Sequence, residues 1–338
     1  MKTLLVGYKA ADITPELLEG DVTCHVLDVY HRHAIEKVHH AKCVCSAHLP
    51  EGPWDLIRFK TGPKLMSGEL SLDLLQEINQ LLKNGEADSC PLAQNRKFPK
   101  NGEADSCPLV QNRKFHLDFV GKERDRNDLL NKIKNDPKRV RSFKAEWPAS
   151  VPGGEKLMFT SYPGCFCHRR LDEGGLALAE VVTREIRNEE LGIRNEGGIN
   201  LLDMGCGCGL VGLLIANRIS VSRLSSLVLV DSHARAVEAA TENAAKFGIP
   251  AEVILSDNGT PARMDGTFDV FVGNPPYYSD YRIAEVFLET AKRALKPGGT
   301  CYTVVKNAAG LKPVQEKFFP SVTVIARRGY AVLKSVKE

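Results

Sequence analysis

The sequence predicts an α/β protein of two units, each with a mostly parallel sheet between layers of helices. The second half alternates short apolar, β-rich runs with helical stretches, which is typical of a parallel sheet covered on both faces. The first half has a fainter version of the same order. A segment rich in proline, glycine and serine, PASVPGGEK (148–156), separates the halves. We therefore predict one domain over 1–150 and a second over 151–338.

The first half contains five candidate strands and one amphipathic helix. The helix is predicted over 71–83, after the fourth strand. No Gly-x-Gly-x-Gly motif follows the first strand, and the fourth strand runs into KTGPK. We therefore predict the same layer architecture as in the second half, without a nucleotide site. The five strands are LLVGY (4–8), VTCHVLDVY (22–30), KCVCSA (42–47), WDLIRF (54–59) and FHLDFVG (115–121).

Two segments look like insertions. KNGEADSCPLAQNRKF (83–98) recurs at 100–115, and the copies differ only in Ala93 and Val110. Two copies are too few for a repeat architecture, and their polar composition with Asn-Gly favours loops. The second insertion, IRNEELGIRNEGG (186–198), repeats IRNE and is predicted as a charged hairpin or loop. We expect both to be surface additions without chemistry.

The second half contains five candidate strands separated by helices. One helix is predicted within 233–248 and another within 282–299, where Pro-Gly-Gly ends the helical pattern. In such a sheet the carboxyl ends of neighbouring parallel strands meet at one edge, where ligands bind. The five strands are INLLDMG (199–205), SLVLVD (226–231), AEVILSD (251–257), FDVFVG (268–273) and TCYTVVK (300–306).

Composition and charge limit the classes of function. The chain of 338 residues has a formal net charge of +3, a mildly basic balance that permits a polyanionic partner. The N-terminal apolar run at 4–8 is too short for a signal peptide, and no apolar stretch approaches the ~20 residues of a membrane span. We therefore expect a cytoplasmic protein without a membrane partner.

We predict that the cysteines and histidines do not bind a metal ion. Ten cysteines in a long chain without a signal peptide indicate free thiols rather than a disulfide framework. Zinc sites usually place about two to four residues between their thiols, whereas the pairs here are separated by a single residue. The histidine-rich stretch HRHAIEKVHH (31–40) has no pair at i and i+4, so we predict a solvated helix. The pairs are Cys43/Cys45, Cys165/Cys167 and Cys206/Cys208.

A glycine-rich turn follows the first strand of the second half in LLDMGCGCGLVGLLIA (201–216). Gly205, Gly207 and Gly209 permit a tight turn and a close approach of the backbone to a ligand. A carboxylate inside such a loop would repel phosphate. Asp203 therefore indicates a cationic or amino-bearing nucleoside, a description that S-adenosylmethionine fits.

Two further acids follow the next two strands. Asp231 ends the second strand of this half, and a carboxylate at that edge suits the two hydroxyls of a ribose. Asp257 ends the third strand and would lie near an adenine. The three acids and the glycine turn predict a nucleoside site at the carboxyl edge of the sheet.

The corner GNPPYYSD (273–280) follows the fourth strand. Methylation of an amino group on a planar ring is aided by two rigid acceptors for its N–H groups, and the Asn274 side chain and the Pro275 carbonyl can supply them. Pro275 and Pro276 restrict the backbone, and Tyr277 can stack on a base. The corner predicts a site for an amino nitrogen on a planar group. Adenine N6, guanine N2 and the amide of protein glutamine all stay open.

The motifs DMGCGCG, VLVD, LSDN and NPPY, in this order, resemble those of class I S-adenosylmethionine-dependent methyltransferases. With three further stretches, the chain is similar to the bacterial ribosomal RNA guanine-N2 methyltransferases of the small-subunit type. The resemblance covers 157–335, is weaker over 1–82 and 115–150, and departs from the family at the cysteines of the second half. The three stretches are SYPGCFCHRRLDEGG (161–175), NPPYYSDYRIAEVFLETA (274–291) and VTVIARRGYAVLKS (322–335).

This resemblance implies a C-terminal Rossmann-like class I methyltransferase domain preceded by a degenerate methyltransferase-like α/β domain. It implies S-adenosyl-L-methionine as the cofactor and a guanine N2 in small-subunit (16S) ribosomal RNA as the methyl acceptor. The partner would be ribosomal RNA or the small ribosomal subunit. Phe166 and Asp172 are expected to line the cofactor pocket. The family's other site residues fall on Asp203, Gly205, Gly207, Gly209 and Asp231 for the cofactor, and on Asn274, Pro275, Pro276 and Tyr277 for the amino group.

Three alternatives stay open. They are an adenine-N6 nucleic-acid methyltransferase, a protein glutamine-N5 methyltransferase, and a noncatalytic RNA-binding assembly factor with the same fold. The intact motifs disfavour the last, and the α/β character of the first half disfavours the glutamine enzyme. Between Arg113 and Lys144 there are 11 Lys or Arg and 5 Asp or Glu residues, a cluster suited either to phosphates or to a solvated helix face. We expect a monomer.

Overall fold

The computed structural model describes residues 1–62, 65–83, 106–108, 114–122, 124–125, 143–187, 198–219, 223–276 and 281–338. The chain forms two compact units, Met1–Lys144 and Ala145–Glu338. The segment predicted as a linker, 148–156, lies inside the second unit, where it contains the turn of a hairpin. Trp147 and Phe159 on the two strands of this hairpin stack with ring centroids 5.4 Å apart, which explains why the segment is packed.

The first unit is built on one six-stranded sheet. Its strands are β1 (Lys2–Val6), β2 (Asp21–Val26), β3 (Lys42–Cys45), β4 (Leu56–Thr61), β5 (Ser106–Pro108) and β6 (Lys114–Phe119), and its helices are α1 (Val29–His39) and α2 (Gly68–Lys83). The strand order is β3-β2-β1-β4-β6-β5. All neighbours are parallel except β5, which is antiparallel to β6.

Both faces of this sheet are covered. Alternate residues of β1 point to opposite faces, so Leu4 packs in one apolar cluster with α2 and Leu5 in another with α1. Ile35 of α1 and Leu74 of α2 are almost fully buried. Burial on both faces explains why the central strand β1 is an almost continuous apolar run.

The predicted strands and the long helix of the first half are present, with two corrections. The strand predicted over 22–30 ends at Val26, because Asp28 caps α1 by accepting a hydrogen bond from the Tyr30 N–H at 2.8 Å. The repeat, predicted as loop, contributes β5 in its second copy. Pro108 is tolerated there because β5 is an edge strand. The other predictions for the repeat fall largely outside the described residues.

Protein side chains fill the end of β1. The residue after Gly7 is Tyr8, which is 3% exposed and whose hydroxyl donates to Asp118 beyond the middle of β6. Lys60 at the end of β4 pairs with Asp12 at 2.6 Å. The position that a glycine loop would occupy after the first strand of such a unit therefore holds a packed tyrosine.

The second unit has a seven-stranded sheet and a separate two-stranded hairpin. The hairpin is β7 (Ala145–Ala149) and β8 (Leu157–Ser161). The sheet strands are β9 (Ile199–Met204), β10 (Leu224–Asp231), β11 (Glu252–Leu255), β12 (Phe268–Gly273), β13 (Leu295–Val305), β14 (Thr323–Arg327) and β15 (Tyr330–Val336). The helices are α3 (Glu173–Arg187), α4 (Leu210–Ile219), α5 (Ala234–Lys246), α6 (Arg282–Ala294) and α7 (Ala308–Glu316).

The order of the large sheet, β11-β10-β9-β12-β13-β15-β14, confirms the predicted α/β fold class. Helices α3, α4 and α5 pack with Leu201 on one face, and α6 and α7 pack with Leu202 on the other. Strand β9 pairs with β10 on one side and β12 on the other, so the chain changes direction there. Ligands bind outside the carboxyl ends of the strands at such a switch point.

One boundary in the second unit differs from the prediction. Strand β13 begins at Leu295 rather than at Thr300, and its register to β12 is irregular next to Phe268. The Pro-Gly-Gly segment therefore lies inside an irregular strand directly after α6. Among the helices that the structure describes, none has the length and apolar character to cross a membrane.

Candidate active site

The loop after β9 turns through three glycines in the left-handed region. The φ angle is +68° at Gly205, +56° at Gly207 and +85° at Gly209. A Cβ atom added to Gly205 would lie 2.6 Å from the Phe287 ring, and one added to Gly209 would lie 2.7 Å from Leu213. A Cβ added to Gly207 would meet no described atom within 4 Å. The first and third glycines are needed for packing, whereas the second leaves open space beside the backbone.

Asp231 holds this loop at the carboxyl end of β10. Its Oδ2 atom accepts a hydrogen bond from the Gly207 N–H at 2.8 Å, and its Oδ1 atom accepts one from the His233 N–H at 2.9 Å. The side chain is half-buried. The structure thus brings the predicted ribose acid against the glycine that faces open space.

Asp203 lies near the carboxyl end of β9, and its side chain is directed into the start of α4. It is 1% exposed, and its Oδ2 atom accepts a hydrogen bond from the Gly212 N–H at 2.8 Å, in the first turn of α4. Burial raises the pKa of Asp203 to about 7, and the negative charge of Asp231 adds to the rise. The carboxyl group fastens the end of β9 to α4, and the predicted contact with a nucleoside would have to reach an almost fully buried group.

The raised pKa of Asp203 predicts a pH-dependent stability. When the pKa of a carboxyl group is higher in the folded state than in the unfolded state, the protonated group stabilises the fold. This stabilisation is fully present at pH values below the pKa of the unfolded state, and it is lost as the pH rises through the folded-state pKa of about 7. We expect the free energy of unfolding of Asp203→Asn, relative to the unsubstituted chain, to rise by roughly 1–4 kcal/mol between about pH 5 and about pH 8. Urea denaturation at both pH values measures it.

The control for this prediction is Glu252→Gln, which removes an exposed carboxylate paired with Arg263 at 2.6 Å. Its stability difference from the unsubstituted chain should stay nearly constant over the same range. A constant difference for Asp203→Asn as well would contradict the raised pKa.

Asn274 and Asp172 meet at the end of β12. The Asn274 Nδ2 group donates to Asp172 Oδ2 at 2.7 Å, and the Gly174 N–H donates to Asp172 Oδ1 at 3.0 Å. Burial raises the pKa of Asp172, and hydrogen bonds from Gly175, Asn274 and Gly174 oppose the rise. The structure therefore places Asp172 against the amino-group corner, a contact that the sequence prediction did not include. No local sequence signal joins two residues separated by 102 positions.

Asn243 is a further residue that the sequence prediction missed. It is fully buried on α5, its Oδ1 atom accepts from the Thr160 N–H at 2.8 Å, and its Nδ2 group donates to the carbonyls of Thr160 and Cys208, both at 2.9 Å. It therefore ties the glycine loop to β8. An asparagine among the alanines of an amphipathic helix was the available signal.

The other predicted site residues have less defined positions. Phe166 is 65% exposed, and Asp257 is half-buried two residues after the end of β11. Pro275 is buried and Pro276 is half-buried. Tyr277 lies outside the described residues, as do 188–197 of the second insertion and 126–142 of the basic cluster. Contact of Phe166 and Asp257 with a cofactor, and stacking by Tyr277, stay predictions.

A lysine in contact with a tyrosine ring lies beside Asn274. Lys306 follows β13, and its Nζ atom lies 4.2 Å from the centre of the Tyr330 ring, a cation–π contact. A Cβ added to Gly174 would lie 3.1 Å from this ring and 3.4 Å from Asp172 Oδ1. The edge next to Asn274 therefore carries a tyrosine ring and an exposed ammonium group.

The cysteines near the site are packing residues. Burial raises the pKa of the Cys165 thiol to about 12 and that of the Cys206 thiol well above its ordinary value, so both are neutral thiols. Over the described parts of the chain, no group of three or more His, Cys, Asp or Glu residues is placed to hold a metal ion. Sequence departures from the resembled family at these positions thus change packing.

The family model described as "Methyltransferase small domain" matches residues 156–334, more than half of the chain. This range contains the glycine loop, Asp231, Asp172 and Asn274. The match therefore covers the whole candidate site.

Curated relatives match the same part of the chain. "Ribosomal RNA small subunit methyltransferase C" of Pseudomonas aeruginosa (strain UCBPP-PA14) is 32% identical over 185 residues, 52% of this chain and 50% of the relative. The Haemophilus influenzae (strain PittGG) protein of the same name is 27% identical over 187 residues, 54% of this chain and 52% of that protein. The "Uncharacterized protein YbxB" of Bacillus subtilis is 29% identical over 203 residues, 59% of this chain and 94% of that protein. The chain spans about half the length of the methyltransferase C relatives.

A solved structure matches the entire chain in fold. It is a T. thermophilus 16S rRNA N2 methyltransferase (RsmC) in complex with AdoMet and guanosine. The TM-score is 0.67 at 17% identity, covering 100% of this chain and 88% of that chain. The resemblance inferred from the sequence is therefore confirmed at the level of family and fold.

Proposed function

Because the chain belongs to the methyltransferase small domain family, we propose that it transfers a methyl group from S-adenosyl-L-methionine to the N2 amino group of a guanine in small-subunit (16S) ribosomal RNA. The names of the ribosomal RNA relatives support the RNA class, and the guanosine bound by the T. thermophilus protein supports the base. Ribosomal RNA or the small subunit is the partner in this proposal, and the cytoplasm is the place of action.

The observation that carries the proposal is the position of Asn274 and Pro275 beside the glycine loop. Strands β9 and β12 are neighbours, and both the loop and the corner follow their carboxyl ends. The Nδ2 group of Asn274 is engaged by Asp172, so its Oδ1 atom is the end of the amide that can accept from a substrate N–H. The Pro275 carbonyl, fixed by the proline ring, supplies the second acceptor in this proposal.

The residues present fit S-adenosyl-L-methionine. The space beside Gly207 admits a ligand against the backbone, and Asp231 on the same glycine suits a ribose hydroxyl. Asp257 would lie by the adenine, and Phe166 would pack at the rim. When bound, the cofactor supplies a methyl group on a cationic sulfur, and the sulfur becomes a neutral thioether as its bond to the methyl group breaks and the new nitrogen–carbon bond forms.

The RNA side of the proposal falls on the edge next to Asn274. A guanine must leave its stack to reach a pocket at the end of a strand, and aromatic and cationic side chains favour such unstacked nucleotides. Tyr330 and Lys306 provide a ring and a positive charge there. The proposal assigns them to the nucleotides that flank the target.

Nucleoside mass spectrometry of 16S ribosomal RNA tests the proposal. RNA from cells without the gene should lack one N2-methylguanosine that RNA from cells with the gene contains. Complementation with the unsubstituted gene should restore it, and complementation with Asn274→Ala should not. Unchanged RNA would contradict the proposal, and loss of an N6-methyladenosine in place of an N2-methylguanosine would replace it with the adenine alternative.

A further inference from the structure

The contact between Asp172 and Asn274 joins the loop before α3 to the end of β12. A carboxylate can only accept hydrogen bonds, so the end of the Asn274 amide at 2.7 Å from Asp172 Oδ2 must be its NH2 group. An asparagine without such a partner can turn its amide around at little cost. The carboxylate therefore determines which end of the amide faces away from Asp172.

We propose that Asp172 is a positioning residue for methyl transfer, which fixes the Asn274 amide with its oxygen toward the amino group of the substrate. The inference rests on the proposed function, in which Asn274 Oδ1 accepts from that amino group. Asp172 acts through Asn274 and need not touch the substrate. Its role is distinct from the cofactor contact expected from the sequence.

The surroundings of Asp172 are built to hold it. Its backbone carbonyl accepts from the Leu176 N–H at 2.9 Å, and its Oδ1 atom accepts from the Gly174 N–H at 3.0 Å. A Cβ added to Gly175 would lie 2.6 Å from Asp172 Oδ2. The first turn of α3 thus passes so close to the carboxylate that a side chain there would displace it.

The negative charge of Asp172 also favours methyl transfer. The amino nitrogen of a base becomes positively charged when it gains a methyl group and before it loses a proton to water. An amide oxygen aimed at this nitrogen stabilises the developing charge, and a carboxylate bonded to the other end of the amide increases the electron density on that oxygen. Both effects are stronger in the transition state than in the bound substrate, so they act on kcat.

The variant Asp172→Asn tests the role without removing the cap of α3, because asparagine caps helices as well as aspartate does. The helix N–H groups will hold the oxygen of the introduced amide, and its NH2 group will face Asn274. The Asn274 amide must then turn its oxygen toward position 172 and its NH2 group toward the substrate. We expect kcat to fall about 100- to 1,000-fold. The cofactor Kd, the KM for RNA and the melting temperature should change little.

Two matched variants make the test specific. Glu173→Gln removes the neighbouring carboxylate, which pairs with Arg328 at 3.2 Å, and should leave kcat unchanged. The exchanged pair Asp172→Asn with Asn274→Asp reverses the Asp172–Asn274 hydrogen bond, with the donor at 172 and the acceptor at 274, and it again directs an oxygen of residue 274 toward the substrate. It should regain at least about tenfold of the kcat lost in Asp172→Asn. Asn274→Asp alone places two carboxylates in contact and should be poorly active.

An Asp172→Asn enzyme with the kcat of the unsubstituted chain would overturn the inference, as would an exchanged pair no better than Asp172→Asn. Failure of the proposed function is distinguishable, because the unsubstituted chain would then transfer no methyl group to RNA. In that case the side-chain NH2 signals of Asn274 in a ¹⁵N–¹H spectrum, assigned by their loss in Asn274→Ala, still decide the point. A shift of these signals in Asp172→Asn but not in Glu173→Gln supports Asp172 as the group that determines the orientation of the Asn274 amide. The absence of a shift in Asp172→Asn overturns the inference.

Discussion

Asn274→Ala is expected to reduce kcat about 100- to 1,000-fold while cofactor affinity stays within about threefold. The substitution removes the acceptor for the substrate amino group, an interaction that strengthens as charge develops on nitrogen. It leaves in place the hydrogen bonds of Asp231 with the Gly207 and His233 N–H groups, which do not involve Asn274. Single-turnover methyl transfer to RNA measures the first quantity, and calorimetry with S-adenosyl-L-methionine measures the second.

The matched control for this prediction is Asn200→Ala. Asn200 lies at the amino end of β9, the opposite edge of the same sheet, where its Nδ2 group donates to the Thr267 carbonyl at 3.0 Å. This variant should lose some stability and keep its kcat. If Asn274→Ala weakened cofactor binding as much as it slowed turnover, the assigned role in holding the amino group would be wrong.

Asp231→Ala is expected to weaken cofactor binding about 10- to 150-fold. The carboxylate accepts from the N–H groups of Gly207 and His233, and hydrogen bonds to charged groups contribute about 1.5–3 kcal/mol each. Without it the middle of the glycine loop loses its anchor, and the proposed ribose contact is lost as well. Calorimetry with S-adenosyl-L-methionine gives the Kd, and about 1.4 kcal/mol corresponds to a tenfold change.

A cofactor analogue separates the two contributions of Asp231. If the carboxylate binds the ribose, the unsubstituted chain should bind a 2′-deoxyribose analogue more weakly than the natural cofactor, and Asp231→Ala should bind both equally. Equal binding of both ligands by the unsubstituted chain would show that Asp231 only anchors the glycine loop and does not bind the ribose. Glu252→Gln, an exposed carboxylate on β11, should change neither Kd.

Much of the fold was predictable because local signals agree with the global arrangement. Four of the five strands predicted in the second half are apolar runs that end in a glycine or an acid, and these residues mark the carboxyl edge. The alternation of strands and helices predicts the parallel sheet with helices on both faces. The glycine turn, Asp231 and the Asn274 corner were found for the same reason, since each lies at the carboxyl end of a strand.

The remainder depends on contacts between distant parts of the chain. The Asp172–Asn274 hydrogen bond joins residues 102 positions apart, and neither neighbourhood encodes the other. Asn243, on α5, reaches the glycine loop across 35 positions and β8 across 83. Asp203 was identified as an acid of the loop, but its orientation into the start of α4 depends on how close Gly212 passes. Such side-chain orientations follow from packing, which a sequence pattern does not specify.

The position of β15 has a consequence for how the second unit is made. Strand β15 follows β14 along the chain yet lies between β13 and β14, pairing antiparallel with both. During translation the edge of β13 therefore has no native partner until residues 330–336 have been added, roughly 2–6 s after Val305 at typical synthesis rates. An open edge of this kind is where a nascent chain aggregates or recruits a chaperone. Slow codons between β13 and β15 would lengthen that exposure, and the yield of folded protein would fall with it.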